Sequence, residues 1–149
     1  MKRWLMKSEP GDYSISDLER DGTEPWTGIR NYQARNFMMR DMRVGDGVLF
    51  YHSSCEEPGI VGIAEVCSGA HPDLTALDPE DKYYDPKSDP AAPRWHCVDV
   101  AFVRKTRLMG LQEMRGHPQL AGMAVLRRGN RLSITPVSAA EWRFIVSKI

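Results

Sequence analysis

The segment WTGIRNYQARN, residues 26–36, places one Trp, one Tyr, two Arg, two Asn and one Gln in eleven positions. Those side chains suit a planar partner with a polar edge. An aromatic ring stacked on a nucleobase contributes roughly 1–3 kcal/mol. The amide of Asn31 offers donors and an acceptor to a base edge, and Arg30 can hold a phosphate through two parallel hydrogen bonds. Trp26 lies between Pro25 and Gly28, in a stretch that reads as loop, so it is either a plug reaching into the core or a stacking platform. Arg30 and Asn31 come just before a predicted helix, where free backbone N–H groups favour anions. Trp95 is a second aromatic at a loop-to-strand junction, and Arg94 beside it is a phosphate candidate. Tyr83 and Tyr84 are further aromatic options, as is Tyr51, for which core packing is the default. The run LMKSEP leaves an apolar stretch through Lys7, Ser8 and Glu9, which either line a site at the end of a sheet or form a turn.

Signatures of catalysis are missing. The sequence holds no GxGxxG, Walker A, GxSxG or HExxH pattern, and nothing beyond residue type supports Ser8 as a nucleophile. Residues 71–73, HPD, read as a turn. His52, His71, His96 and His117 form no ligand spacing with Cys55, Cys67 or Cys97, so no metal or other cofactor is expected. Cys67 and Cys97 lie in strand-like runs and are expected as buried, inert thiols. An odd cysteine count does not build a disulfide framework.

Twenty basic and twenty acidic residues give a formal net charge of zero, which removes any long-range attraction to a polyanion. The charges are unevenly spread: residues 94–131 hold eight basic residues against two acids, and residues 73–89 hold six acids against two lysines. A basic face and an acidic face are therefore possible, with ordinary solvated surface as the bland alternative. A pocket that grips one base needs only local chemistry, so neutrality does not exclude it. The N-terminal stretch turns polar too soon for a secretory signal, and no apolar run is long enough to span a bilayer. A cytoplasmic protein (nuclear in a eukaryote) with no membrane partner is expected.

The elements that must hold these residues follow from pattern. KRWLMK predicts a short buried strand. SISDLERDG predicts a helix capped by Ser14 or Ser16 and ended by Gly22. TEPWTGIR predicts loop. NYQARNFMMRDM is the clearest helix, with Asn31 as N-cap and Ala34, Phe37, Met38 and Met42 on its core face. VGDGVLFYHS and PGIVGIAEV predict two antiparallel strands, with Gly59 and Gly62 allowing a bulge or a close approach. Residues 67–93 predict an ordered loop or lid. WHCVDVAFVRKT predicts a third strong strand, residues 108–123 short helical turns, RLSITPV a last strand ended by Pro136, and SAAEWRFIVSKI a capped C-terminal helix. This order is not alternating βαβ; it fits an α+β domain with a mainly antiparallel sheet that can curl into a barrel.

WLMKSEP, WTGIRNYQARNFM, VGDGVLFYHSSCEEPGIVGIAEV, YYDPKSDPAAPRWHCVDVAFV and RLSITPV, taken together, resemble the EVE domain family over essentially the whole chain. The resemblance implies a single PUA-like domain over residues 1–149: a small curved, mainly antiparallel β-barrel flanked by short helices. It also implies a non-catalytic module that binds a modified base of nucleic acid, with modified cytosine in DNA favoured over a modified RNA base. Other proteins of a modification or restriction pathway are implied as further partners. On this reading Trp26, Asn31, Ser8, Trp95, Tyr32 and Ser133 bind the base, and Arg30, Lys7, Arg94 and Arg35 bind phosphate. Glu9 and Tyr84 complete the pocket. Two rivals stand beside it. One is a hydrolase of the ASCH type acting on a modified nucleoside, for which Lys7, Ser8 and Glu9 would be the site. The other is a small-ligand or protein-interaction module.

Overall fold

A computed structural model describes all residues, Met1–Ile149. Six strands form one sheet in the order β2-β7-β4-β3-β1-β8, where β1 is Arg3–Ser8, β2 Thr23–Pro25, β3 Gly47–His52, β4 Gly59–Val66, β7 Asp99–Gly110 and β8 Ile134–Val137. Two-residue strands β5 (His71–Pro72) and β6 (His96–Cys97) pair separately. Every pairing in the large sheet is antiparallel except β1 with β3. The result is an α+β fold with a curled, mainly antiparallel sheet.

The sheet is buried on both faces, which is why the central strands are almost continuously apolar. Successive side chains along a strand point to opposite faces. Trp4, Met6, Val48 and Phe50 therefore join one core cluster, while Leu5, Leu49 and Tyr51 join the other. The first cluster is closed by α1 (Ile15–Asp21) and α2 (Tyr32–Asn36). Ser14 and Asp17 form a reciprocal capping box at the start of α1, and Gly22, at φ 83°, ends it. Gly62 allows α1 to approach: a Cβ there would lie 2.6 Å from Ile15 Cγ1. The side chain of Asn31 accepts from the Ala34 N–H and caps α2, which widens over Phe37–Asp41 into a π-helical turn closed by Met42 N–H to Phe37 O. The second cluster is covered by α3 (Leu111–Arg115), short 3₁₀ turns and α4 (Ala139–Val146), the last capped by Ser138 and Glu141.

Four details differ from the pattern-based expectations. Residues 23–25 are a strand, not loop, because Thr23, Glu24 and Pro25 pair with Ala101, Val100 and Asp99 far along the chain. Pro136 sits inside β8 without ending it; β8 is an edge strand, where a missing N–H costs no ladder bond. β7 runs on through Met109 and Gly110, which had read as the start of the helical turns. Cys67 is exposed rather than buried, whereas Cys97 is sealed in the core and burial pushes its thiol up to about 12. No helix is long and apolar enough to cross a membrane.

Candidate nucleic-acid interface

Because β1 and β3 run parallel, their C-terminal ends open at the same edge of the sheet. Lys7, Ser8 and Glu9 leave β1 there, and Ser53 and Ser54 leave β3 beside them, joined by Ser53 N–H to Ser8 O at 3.0 Å. The loop before β8 arrives next to them, with Lys7 N–H donating to Ser133 O at 2.8 Å. These ends form one side of a cleft of about 860 Å³, a volume within the usual range for ligand sites. Pro25–Arg30 and Tyr83 form another side, and residues 127–131 form a third. Ser54, on the rim, holds a φ of 51°, an uncommon conformation for a non-glycine residue.

Trp26 lies at the floor of this cleft. Its ring belongs to the core, edge-on to Phe50 with centroids 5.3 Å apart, and only 6% of the residue is exposed. It is therefore plug and lining at once. Two other buried indoles have partners for their N–H groups: Trp4 donates to Asp46 at 3.0 Å and Trp95 to Asp85 at 2.8 Å. The Trp26 N–H makes no hydrogen bond in the protein, yet it is not among the sealed, unsatisfied atoms. It remains free to donate to a ligand.

Lys7 is the second unsatisfied group. Its ammonium lies 5.9 Å from the Tyr51 ring centroid, with no carboxylate in ion-pair reach, and burial pulls its pKa below the usual lysine value. A half-buried, unpaired ammonium is a receptor for an anion. Ser8 donates its hydroxyl proton to Tyr13 O at 2.6 Å, leaving its oxygen as an acceptor. Opposite, residues 127–131 fold into a turn pinned by the Asn130 amide, which donates to Ala124 O and accepts from the Leu132 N–H. Arg127, Arg128 and Arg131 project from that turn; all three are exposed and line the cleft without an acidic partner.

Six of the residues nominated from sequence thus share the cleft: Lys7, Ser8, Glu9, Trp26, Arg30 and Ser133. The other six do not line it. Trp95 is buried under a stack with Tyr32, ring centroids 4.9 Å apart. Arg35 lies over Tyr32 at 4.7 Å and donates to Arg94 O. Arg94 is 3.5 Å from Asp85, Asn31 is occupied as a helix cap, and the tyrosine that reaches the cleft is Tyr83, not Tyr84. Arg30 lines the cleft, but its guanidinium is already committed. It donates to Tyr83 O, Ile29 O, Thr75 Oγ1 and the carboxylate of Asp73, the last at 3.0 Å. The phosphate role expected for Arg30 meets a side chain with its donors spent inside the protein. Asp73 is itself buried. Burial pushes its carboxyl up, but hydrogen bonds from Thr75, Gly28 and Arg30 outweigh that and hold it below the ordinary carboxylate value. The Arg30–Asp73 pair ties the 67–93 segment to the Trp26 loop. Gly28, at φ 85°, makes the contact possible, since a Cβ would meet the Tyr83 ring at 2.8 Å.

Pattern reading did not single out Arg127, Arg128 and Arg131 individually, although RRGNR, with three arginines around a Gly-Asn turn, carried the signal. Glu24 carries no signal in the sequence, because TEPWTGIR predicts loop and only the distant pairing with Val100 makes its segment a strand.

A curled, mainly antiparallel sheet with an open polar cleft at paired strand ends defines a PUA-like module. The EVE domain model matches residues 2–148, and the chain belongs to that family. It is 43% identical to thymocyte nuclear protein 1 of Danio rerio over 97% of this chain and 71% of the relative, and 40% identical to the Homo sapiens protein over 97% and 72%. A crystal structure of a Pseudomonas syringae protein is 46% identical, with a TM-score of 0.94 and 97% coverage of both chains. The human THYN1 protein, solved in complex with 5-methylcytosine-containing DNA, superposes with a TM-score of 0.92 at 39% identity, covering 99% of this chain and 96% of that one. An ASCH protein from Zymomonas mobilis shares the fold alone, at 10% identity and a TM-score of 0.58.

Proposed function

We propose that this protein is a non-catalytic reader that takes one modified base of a nucleic acid into the cleft above Trp26, with 5-methylcytosine in DNA as the favoured ligand. The observation that carries the reading is the gathering, in a single cleft, of an unpaired indole N–H, an unpaired half-buried ammonium and three unpaired guanidiniums. Such a set matches the polar edge of one base and its flanking phosphates. The human relative bound to 5-methylcytosine-containing DNA supports the choice of base.

The base edge meets Trp26, Ser8 and Ser133, while Lys7 and the 127–131 turn take phosphates. A buried methyl contributes about 0.8 kcal/mol, so the preference for 5-methylcytosine over cytosine should be about fourfold unless the cleft also excludes water well. Fluorescence anisotropy with matched oligonucleotides, modified and unmodified, DNA and RNA, tests the reading. Equal affinity for modified and unmodified strands across the panel would overturn it.

The hydrolase reading finds less support. The Ser8 proton is bonded to a backbone carbonyl, not to a base that could remove it, and the likeness to the ASCH protein extends only to the fold. Mass spectrometry of nucleosides incubated with the protein should show no turnover. Product formation abolished by Lys7→Ala would reverse that.

A further inference from the structure

Three acidic residues line the cleft alongside the arginines: Glu9, Asp12 and Glu24. Their states differ. Glu9 is exposed. Asp12 is held by Lys82, whose ammonium lies 2.9 Å from both carboxylate oxygens, and by the Tyr83 hydroxyl at 3.3 Å. Glu24 is half-buried and has neither a hydrogen-bond nor an ion-pair partner. Burial raises its carboxyl above the ordinary value, and nearby Asp21, Asp99 and Asp17 push the same way against Arg20 alone. Arg20 is itself occupied by Asp17 and Asp21. A half-buried carboxylate left unpaired among other acids is costly unless something else uses it.

Its position shows what could. Glu24 and Trp26 are two residues apart on an extended segment that pairs with the start of β7: Glu24 with Val100, and Trp26 through its N–H to Val98 O at 2.8 Å. Alternation places both side chains on the same face, with their Cβ atoms roughly 7 Å apart. The Glu24 carboxylate and the Trp26 N–H therefore line adjacent positions of one wall of the cleft, where both can meet the polar edge of one base.

We infer that Glu24 is the specificity-determining residue of the cleft, a carboxylate that accepts from the exocyclic amine of a bound base and so selects cytosine-type bases over thymine-type ones. The inference rests on the base-reading function proposed above. Carboxylates pair with the cytosine amine in this way. 5-Methylcytosine and thymine carry the same methyl group and differ at the 4-position, amine in one and carbonyl in the other. Contacts to the shared methyl group cannot separate them; a lone acceptor can, because it would face the thymine carbonyl oxygen to oxygen with no hydrogen between.

The test uses single-stranded oligonucleotides identical except for 5-methylcytosine, cytosine or thymine at one position, which removes differences in base pairing. The full chain and its Glu24→Gln variant are compared after thermal unfolding has shown that both fold. The wild type should prefer 5-methylcytosine over thymine by about tenfold or more. In E24Q the amide can accept or donate, so that ratio should fall to within about twofold, while the ratio of 5-methylcytosine to cytosine stays unchanged. An E24Q protein that binds and keeps the wild-type 5-methylcytosine-to-thymine ratio overturns the role of Glu24 and leaves the reader function standing. A wild type that binds 5-methylcytosine and thymine equally overturns the role of Glu24, whereas one that prefers both cytosines to thymine but does not distinguish 5-methylcytosine from cytosine overturns the modified-base reading alone.

Discussion

Arg30 and Arg128 line the same cleft, and each belongs to a neighbourhood of aromatic and basic residues. Around Arg30 every strong polar group has a partner: its own donors go to Tyr83, Ile29, Asp73 and Thr75, Trp95 donates to Asp85, and Arg35 donates to Arg94 O. Elsewhere in the cleft the Trp26 N–H, the Lys7 ammonium and the guanidiniums at 127, 128 and 131 have none. The first region is a lock that fixes the 67–93 segment to the cleft wall. The second is a surface with its valences open. Residue type does not separate the two; hydrogen-bond satisfaction does.

Breaking the lock should produce the largest effect. Asp73→Ala removes the buried acceptor for Gly28 N–H, Thr75 and Arg30 and strands a guanidinium. Losing one partner of a buried pair costs about 3–5 kcal/mol, which urea unfolding would show as a large fall in midpoint. A change under about 1 kcal/mol would mean that the segment is held some other way. The sign with pH follows: Asp73 has a depressed carboxyl, so its contribution is present above the unfolded carboxylate pKa and is lost as pH falls through the folded value. The Asp73→Ala protein should lack that acid-dependent loss.

A matched pair of tryptophan substitutions sharpens the contrast. Trp95→Phe removes the bond to Asp85 and should lower the unfolding midpoint while leaving affinity for a methylated oligonucleotide unchanged. Trp26→Phe removes an N–H that no protein group uses, so affinity should fall by about tenfold, the value of one hydrogen bond to a ligand, with a smaller loss of stability than Trp95→Phe, because both lose the same ring volume from the core but only Trp95 also loses a partnered N–H. Reversed results would exchange the roles of the two regions.

The sequence made the local devices plain and the long-range ones obscure. Ser14, Gly22 and Asn31 were legible because capping is decided within four residues. β3 and β4 were legible as an antiparallel pair because only a short turn separates them. β2 was not: three residues containing a proline become a strand only through a partner about 75 positions away. Trp26 and Trp95 presented the same surroundings in sequence, each beside Pro and Arg or Gly. What distinguishes them is whether the indole nitrogen finds a carboxylate, and Asp85 reaches Trp95 through the folding of residues 67–93. Four of the nominated site residues, Lys7, Ser8, Glu9 and Ser133, share the cleft because KSEP ends β1 where RLSI leads into β8, a consequence of the antiparallel pairing of β1 with β8.

The open side should respond to salt where the lock does not. Arg128 is exposed and without an acidic partner, so Arg128→Ala should leave the unfolding midpoint where it is and weaken binding several-fold at low salt. The loss should be the same for methylated and unmodified strands, with the slope of log affinity against log salt shallower by about 1. An unchanged slope would remove the 127–131 turn from the phosphate path.

Lys7 gives the smallest effect and the clearest sign. Burial lowers its pKa, so between the folded value and the ordinary 10.5 the unfolded chain binds more protons than the native one. Stability therefore gains a small increment as pH rises through that window. Affinity for a polyanion must move the other way, because a neutral Lys7 no longer attracts phosphate. Stability rising while binding falls over the same window is the signature of a cation held unpaired for a ligand. Lys7→Met keeps the aliphatic stem against Tyr51 and should flatten both trends relative to the wild type. If the wild-type and Lys7→Met proteins show parallel curves in both measurements, the ammonium is solvated surface and the anion in the cleft is held by the arginines alone.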